Sequence, residues 1–478
     1  MAGLTPTFYP ASLLAAARTE PTHKSINTRE MTGKDYTQGN IWRNITDFAL
    51  PYMLAYFLQM LYGLADLFVI GRYCDVSSIT AVSIGAQVMH MLTVVIIGLA
   101  MGTTVLTARA VGSHDTGRAA SVIGNTVTLF ALLAMLTTGA MLWGRDAIVS
   151  MMDTPPEAVA GTAHYLTVCF AGIPFIVAYN VIASIFRGLG DSTRPMYFVA
   201  VACAVNIALD FLFIGYMGLG PIGAALGTTL SQMASVLVAL VVIRRQRAML
   251  HITGRDLRLQ RRVIGHIFNI GVPVALQDGF IQVAFIAITV IANGRGLIDA
   301  AAVGIVEKFI GLVFIVPSAM LATVSALAAQ SLGAGDSLRA RQVMWRAMAI
   351  SVGYGVAMAL VLQVTPRWAV GLFTTDPAVL AQGADYLRGY AWDCIFAGAH
   401  FCFSGFFTAC GYSLISFGHN MASISLARIP LAYLSSVYYP TTLFPMGIST
   451  CIGSFLSCLI CIVAYRWMVR HQRFGLAA

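Results

Sequence analysis

The chain has 478 residues, 58% of them hydrophobic and 10% charged, with a formal net charge of +9 at pH 7. Soluble domains are nearer about 45–50% apolar and about 25% charged, so a water-soluble fold is excluded and an all-α polytopic membrane protein is expected. The basic excess lies in short flanks between apolar stretches, which makes it an orientation signal, and no nucleic-acid partner is expected.

Residues 1–40 form a polar tail rich in Thr and Pro, whose short Ala11–Ala17 apolar run is followed by charged residues and does not make a signal peptide. Met31 stands just before the first span, so 1–30 reads either as a disordered tail or as sequence ahead of the true start. About twelve segments long enough to cross a bilayer follow, near 46–70, 80–106, 120–143, 162–186, 195–216, 221–243, 266–291, 302–327, 343–364, 388–413, 420–440 and 446–467. They divide into a first lobe (41–243), a basic inter-lobe loop (244–265), a second lobe (266–467) and a short tail (468–478). With twelve spans, Arg109 and Arg118, Arg187 and Arg194, the cluster Arg244 to Arg262, Arg339, Arg341 and Arg346, and Arg466, Arg470 and Arg473 fall on one side. That side is cytoplasmic by the positive-inside rule, and it holds both termini. The alternate loops pair their cations with acids, as Arg145 with Asp146 or Arg295 with Asp299.

The nine cysteines lie mostly inside apolar spans, and the Cys458-x-x-Cys461 pair has no second pair to complete a metal site, so they read as small packing residues. Pro51, Pro174, Pro273, Pro317 and Pro430 fall within spans, where a missing backbone donor permits a bend.

Ionisable groups at bilayer depth cost about 2.5–3.5 kcal/mol on insertion scales, and they face a protein interior or a wet cavity. Asp210 follows Asn206 by four residues, so the two project from one helix face, and Asp66 lies in the first span. A hard cation such as sodium wants oxygen ligands, which Asp210, Asn206, Asp66 and a hydroxyl from Thr228 or Thr229 could supply; a proton needs one buried acid. Asp278 and Gln282 share a face just after Pro273. Glu307 and Lys308 are adjacent and point apart, with Arg428 a candidate partner for Glu307, and Asp393 lines a cavity or its mouth. For His90, His400 and His419 a packing role is the expectation.

The chain also repeats itself at an offset of about 221 residues: Ala81-Val82-Ser83-Ile84 matches Ala302-Val303-Gly304-Ile305, Gly112-Ser113-His114-Asp115 matches Gly333-Ala334-Gly335-Asp336, and Gly190 matches Gly411. An even number of spans per unit makes the halves parallel repeats, and such halves place a substrate path between them and alternate its exposure by rocking. The first-half polar residues break the symmetry. Leu431 and Ala427 stand at the positions of Asp210 and Asn206, and Ile288 or Ala287 at that of Asp66, which points to an ion site in the first half.

In order and spacing, several segments resemble the multidrug and toxic compound extrusion (MATE) family: Ala49-Leu50-Pro51, Leu64-Ala65-Asp66-Leu67-Phe68-Val69-Ile70-Gly71, Arg187-Gly188-Leu189-Gly190-Asp191-Ser192-Thr193-Arg194-Pro195, Asn206-Ile207-Ala208-Leu209-Asp210, Phe403-Ser404-Gly405-Phe406-Phe407 and Arg428-Ile429-Pro430. The resemblance implies two bundles of six helices and export of small cationic or amphipathic compounds in exchange for protons or sodium. It also implies an ion site at Asp66, Asn206, Asp210 and Thr228, with Pro51 as a bending proline. Gln282 stands where one branch of the family carries a functional glutamate, which favours the first-half acids. A functional monomer in the bacterial inner (plasma) membrane, with no cofactor beyond the coupling ion, is the expected form. The alternative is a lipid-linked oligosaccharide flippase or polysaccharide exporter of the same superfamily. No H-E-x-x-H, G-x-S-x-G or Walker A pattern is present, so neither an intramembrane enzyme nor built-in ATP coupling is expected.

Overall fold

Without water to pair backbone groups, a chain this apolar satisfies them within helices. The computed structural model describes residues 34–245 and 253–474, so the Ala11–Ala17 run and Met31 lie outside the described residues. The first lobe comprises α1 (Ile41–Tyr73), α2 (Val76–Gly112), α3 (Thr116–Trp143), α4 (Pro156–Ala171 and Ile173–Gly188), α5 (Thr193–Asp210, continued by a π-helical Phe211–Tyr216) and α6 (Gly220–Arg245). The second comprises α7 (Arg261–Asn293), α8 (Leu297–Val313 and Ile315–Gly333), α9 (Ser337–Val364), α10 (Pro377–Ala391 and Asp393–Ala409), α11 (Ser413–Ser423, a π-helical Ile424–Arg428, and Ile429–Tyr438) and α12 (Phe444–Arg470). Short helices Arg145–Met151 and Pro366–Gly371 follow α3 and α9.

Among the described residues, nine helices are each long and apolar enough to cross a bilayer. The α4 pair, bent by 50° at Gly172, makes a tenth crossing, and α10 and α11 complete the twelve as interrupted helices. Several crossings begin earlier than hydropathy indicates, because polar caps and aromatic first turns extend them past the apolar core; α10 starts at Pro377 instead of near 388.

The five prolines fall into two groups. Pro174 lies in the first turn of a new helical segment, where the missing N–H has no intrahelical partner to lose, Pro430 comes just after the π-helical turn of α11, and Pro317 follows the α8 break by three residues. Pro51 and Pro273 sit inside the unbroken α1 and α7, at related places in the two lobes. There each leaves the carbonyl one turn earlier without its helical donor.

The repeat is written into the backbone. His114 and Gly335 both have positive φ (53° and 79°), as do Gly190 and Gly411 (85° and 83°), and both pairs are 221 residues apart. The next residues, Asp115 and Asp336, cap α3 and α9 identically, each accepting from the backbone N–H of an arginine (Arg118, Arg339) at 2.8 Å. Where α2 crosses α8, an added Cβ on Gly112 would strike the Gln330 carbonyl and one on Gly333 would strike the Arg109 carbonyl, so the two helices meet glycine to backbone in a reciprocal crossing.

The lobes join at the end that carries the basic loops. Gly98 of α2 packs on Ala275 of α7, and Gly271 of α7 packs on Leu99 of α2. Arg109 donates twice to the Ala409 carbonyl, at 2.6 and 3.0 Å. Arg339 donates to the carbonyls of Tyr36, Gln38 and Gly39, and Gln330 Oε1 accepts from Tyr36 N at 3.1 Å, so the segment ahead of α1 is strapped onto the second lobe. The connecting loop is docked on α3: Gln260 N donates to Asn125 Oδ1 at 2.6 Å and Thr128 Oγ1 to the Leu257 carbonyl at 2.8 Å. Within that loop the N–H and hydroxyl of Thr253 hold the exposed Asp256 carboxyl below the usual carboxylate range. At the opposite end Arg145 pairs with Asp146 and Arg295 with Asp299, each at 2.7 Å, within their own lobes.

Candidate functional site

Two helices of the first lobe bring its acids together. α1 delivers Asp66 two turns before its end, and α5 delivers Asn206 and Asp210 one turn apart on one face, immediately ahead of the π-helical Phe211–Tyr216. Asn206 and Asp210 are fully buried and Asp66 is 8% exposed. The Asp66 carboxyl faces Asp210, Asn206 and Thr228, and the Thr228 hydroxyl donates to Asp66 Oδ2 at 3.4 Å. α6 closes the group from the third side. Its Gly227 lies so near that an added Cβ would collide with Asp210 Oδ1, and only a residue without a side chain lets α6 approach α5 here.

What distinguishes the pocket is unmet polar capacity. Asp66 Oδ1, both oxygens of Asp210, and the amide oxygen and nitrogen of Asn206 are buried facing one another, with no protein hydrogen-bond partner outside that group, and Gln232 Oε1 on α6 is buried and unpartnered as well. Buried polar groups are nearly always paired, and two facing carboxylates in low dielectric call for a positive charge between them. The donor set of carboxylates, amide oxygen and hydroxyls suits a proton or a hard monovalent cation. Among the described residues no group of three or more His, Cys, Asp or Glu could hold a metal ion through those side chains alone.

The charged residues of the second lobe form another cluster. Arg428, 8% exposed, sits at the end of the π-helical stretch in α11, and its Nη2 donates to the Tyr390 hydroxyl at 2.8 Å. Its guanidinium carbon lies 5.1 Å from the Phe285 ring centre and 5.9 Å from that of Tyr390. Glu307, Asp393 and Tyr386 surround it. Asp393, 1% exposed, is the first residue after the α10 break, and Thr289 donates to Glu307 Oε2 at 3.3 Å. Lys308 stands outside this cluster, exposed on another face of α8. Asp278 is half-buried near Tyr56 of the first lobe, at the seam between the lobes. His400 and His419 lie deeper in the second lobe with ring centres 5.9 Å apart, and His419 is held by Ser404 at 2.8 Å and Ser457 at 2.6 Å, a satisfied packing role.

Between the lobes, away from the basic loops, lies a cavity of about 820 Å³ bordered by α2, α3, α7 and α8. Met91, Met141, Met151 and Met152 line it with Phe285, and Gln282, Thr289 and Glu307 contribute polar groups, as does His90, which is exposed on α2 and borders the cavity instead of packing in a core. Sequence reasoning did not find Gln232, Tyr62 or this methionine wall. The first two carried a signal all the same, since Gln232 follows Thr228, and Tyr62 precedes Asp66, by one helical turn; the Gln232 amide faces the Tyr62 hydroxyl beside the acids.

Two parallel six-helix lobes around a cleft define a membrane transporter. The MatE family model matches residues 51–212 and again 273–434, one match in each lobe, and the chain belongs to that family. The chain is 27% identical over 408 residues to the probable multidrug resistance protein YpnP of Bacillus subtilis (85% of this chain, 91% of YpnP). It is 23% identical over 378 residues to the multidrug export protein MepA of Staphylococcus aureus (79% of this chain, 83% of MepA). An outward-facing multidrug resistance MATE family transporter of the MOP superfamily superposes with a TM-score of 0.87 at 23% identity, covering 92% of this chain and 98% of that one.

Proposed function

We propose that the protein exports small cationic or amphipathic compounds across the bacterial inner membrane in exchange for protons or sodium, by alternating access between the lobes 41–243 and 266–467. The reading rests above all on the buried oxygens of Asp66, Asn206 and Asp210 beside Thr228, which have no partner outside their own group, an arrangement that a bound cation or proton completes. The names of YpnP and MepA, both multidrug proteins, agree with it. So does the cleft, whose volume and apolar lining suit a drug-sized molecule better than a lipid-linked oligosaccharide.

The positive-inside rule favours an orientation with the basic loops in the cytoplasm, and on that orientation the lobes meet on the cytoplasmic side and the cleft faces outward. A working cycle parts the α2–α7 and α2–α8 crossings and closes the outer ends. Pro51 links ion binding to that motion: it leaves the Asp47 carbonyl without its helical donor in the helix that carries Asp66, so α1 bends there at little cost. The protein works as a monomer, each chain holding a complete ion site and cleft. The test is efflux from proteoliposomes under an imposed pH or sodium gradient. Wild type is expected to respond to one gradient, and Asp66→Asn and Asp210→Asn to neither; undiminished gradient-driven efflux in both variants would refute the ion site.

A further inference from the structure

Among the described residues that line the cleft, Glu307 is the one carboxylate, none is a lysine or arginine, and His90 is the one histidine. Its two oxygens differ. Oε2 accepts from the Thr289 hydroxyl at 3.3 Å, whereas Oε1 is buried with no hydrogen-bond partner. Arg428, which is not among the residues lining the cleft, interacts electrostatically with Glu307, and its Nε is likewise buried and unpartnered. The arginine is held by other means, by its hydrogen bond to Tyr390 and by the rings of Tyr390 and Phe285. Phe285 borders the cleft while its ring carries the guanidinium, so a single aromatic side chain separates the arginine from whatever enters. A carboxylate and a guanidinium therefore lie within electrostatic reach of each other, each with an unpartnered polar atom, and the residue that carries the carboxylate borders an apolar cavity of drug size.

We propose that Glu307 is the residue that binds the positive charge of the transported compound, and that Arg428 is its resident competitor. With the cleft empty of cation, Arg428 balances the carboxylate. When an organic cation with an apolar body enters, the Glu307 side chain turns to present Oε1 to its charge, its body lies against Phe285 and the methionines, and Arg428 keeps Tyr390, Asp393 and the two rings. This gives selectivity for cations over neutral molecules of equal shape, since a neutral guest cannot replace the interaction Glu307 has with Arg428. The place of Arg428 in the repeat fits this role: it directly follows Ala427, the counterpart of Asn206, so the second lobe carries a tethered cation near the position where the first lobe binds a mobile one.

The inference rests on the exporter reading and deepens it. The test measures binding of tetraphenylphosphonium and of the uncharged triphenylphosphine oxide to the purified full chain, with transport of both in proteoliposomes. Glu307→Gln is expected to weaken tetraphenylphosphonium at least tenfold and triphenylphosphine oxide less than twofold, and Glu307→Asp to recover part of the cation affinity. Arg428→Gln is expected to tighten tetraphenylphosphonium severalfold, an effect opposite in sign to general damage; Arg428→Lys, which keeps the buried charge, is expected to fall between it and wild type. Equal cation affinity in wild type and Glu307→Gln, or equal weakening of both probes, overturns the assignment while leaving the exporter reading intact. A wild-type protein that neither binds nor moves either probe overturns both.

Discussion

Replacing Asp66 by Asn keeps the side chain's size and removes one of two facing acids. Two like charges about 4 Å apart at an effective dielectric of about 20 repel by about 4 kcal/mol. At about 1.4 kcal/mol per tenfold, relief of that repulsion gives the pair up to about a thousandfold tighter hold on a cation than one carboxylate alone has. Asp66 retains some contact with solvent at 8% exposure, so a loss of about a hundredfold is the expected value for Asp66→Asn. In proteoliposomes the variant should lose about nine-tenths or more of gradient-driven efflux, while substrate affinity in detergent stays within about twofold, because the pair lies apart from the cleft residues. Stability supplies the sharper contrast. Asp66 Oδ1 and both Asp210 oxygens have no protein partner outside the group to lose, so the ion-free variant should melt no lower than wild type. Unchanged gradient-driven efflux would refute the reasoning, as would a melting temperature lower by more than about 5 °C, which would mark the pair as a structural brace.

Further changes test other parts of the structure. Gly227→Val drives a side chain into Asp210 Oδ1, and overpacking of this kind costs about 1–3 kcal/mol; it should abolish ion-driven efflux as Asp210→Asn does, but with a lowered melting temperature. Arg339→Ala frees the carbonyls of Tyr36, Gln38 and Gly39, and distances between spin labels on the two lobes should then broaden at the basic-loop end. Phe406→Ala empties a fully buried position in the second lobe and should destabilise it by about 3–5 kcal/mol, read as loss of thermal stability in detergent with ion binding in the first lobe retained. Asp336→Ala removes the cap that accepts from Arg339 N and should cost about 1 kcal/mol.

Hydropathy made the crossings legible because lipid allows a chain few alternatives to helix. It was blind to interruptions: the breaks at Gly172, Phe314 and Trp392 fall inside runs apolar enough to read as single spans, so α4, α8 and α10 looked continuous, and at Gly172 the helix turns by 50°. The grouping of Asp66, Asn206, Asp210 and Thr228 could be anticipated because a carboxylate in an apolar run has few physical excuses. The closeness of Gly227 could not, since a glycine in a span looks the same whether it faces lipid or an acid. Likewise, Arg428 was visible as a candidate partner for Glu307, but its place over the Phe285 ring depends on the π-helical turn Ile424–Arg428, which shifts the register of α11 and has no compositional signature. The methionine wall draws on α2, α3 and the segment that follows it, stretches of chain too far apart for any one periodicity to join.

The arginine fixed in the second lobe also limits how the cycle moves charge. Because Arg428 belongs to the chain, it carries no charge across the membrane over a complete cycle, whichever of the two acids beside it, Glu307 or Asp393, it faces. On the proposed reading the Asp66–Asp210 pair exchanges the ions, and its two carboxyls bring in at most two elementary charges per turn. Exporting one monovalent compound against two entering charges leaves a net inward movement of one, worth about 2.3 kcal/mol at 100 mV, whereas export against one is electrically silent. The membrane potential is thus a lever on this protein only at the higher stoichiometry, and a current recorded during transport counts the ions that the pair accepts.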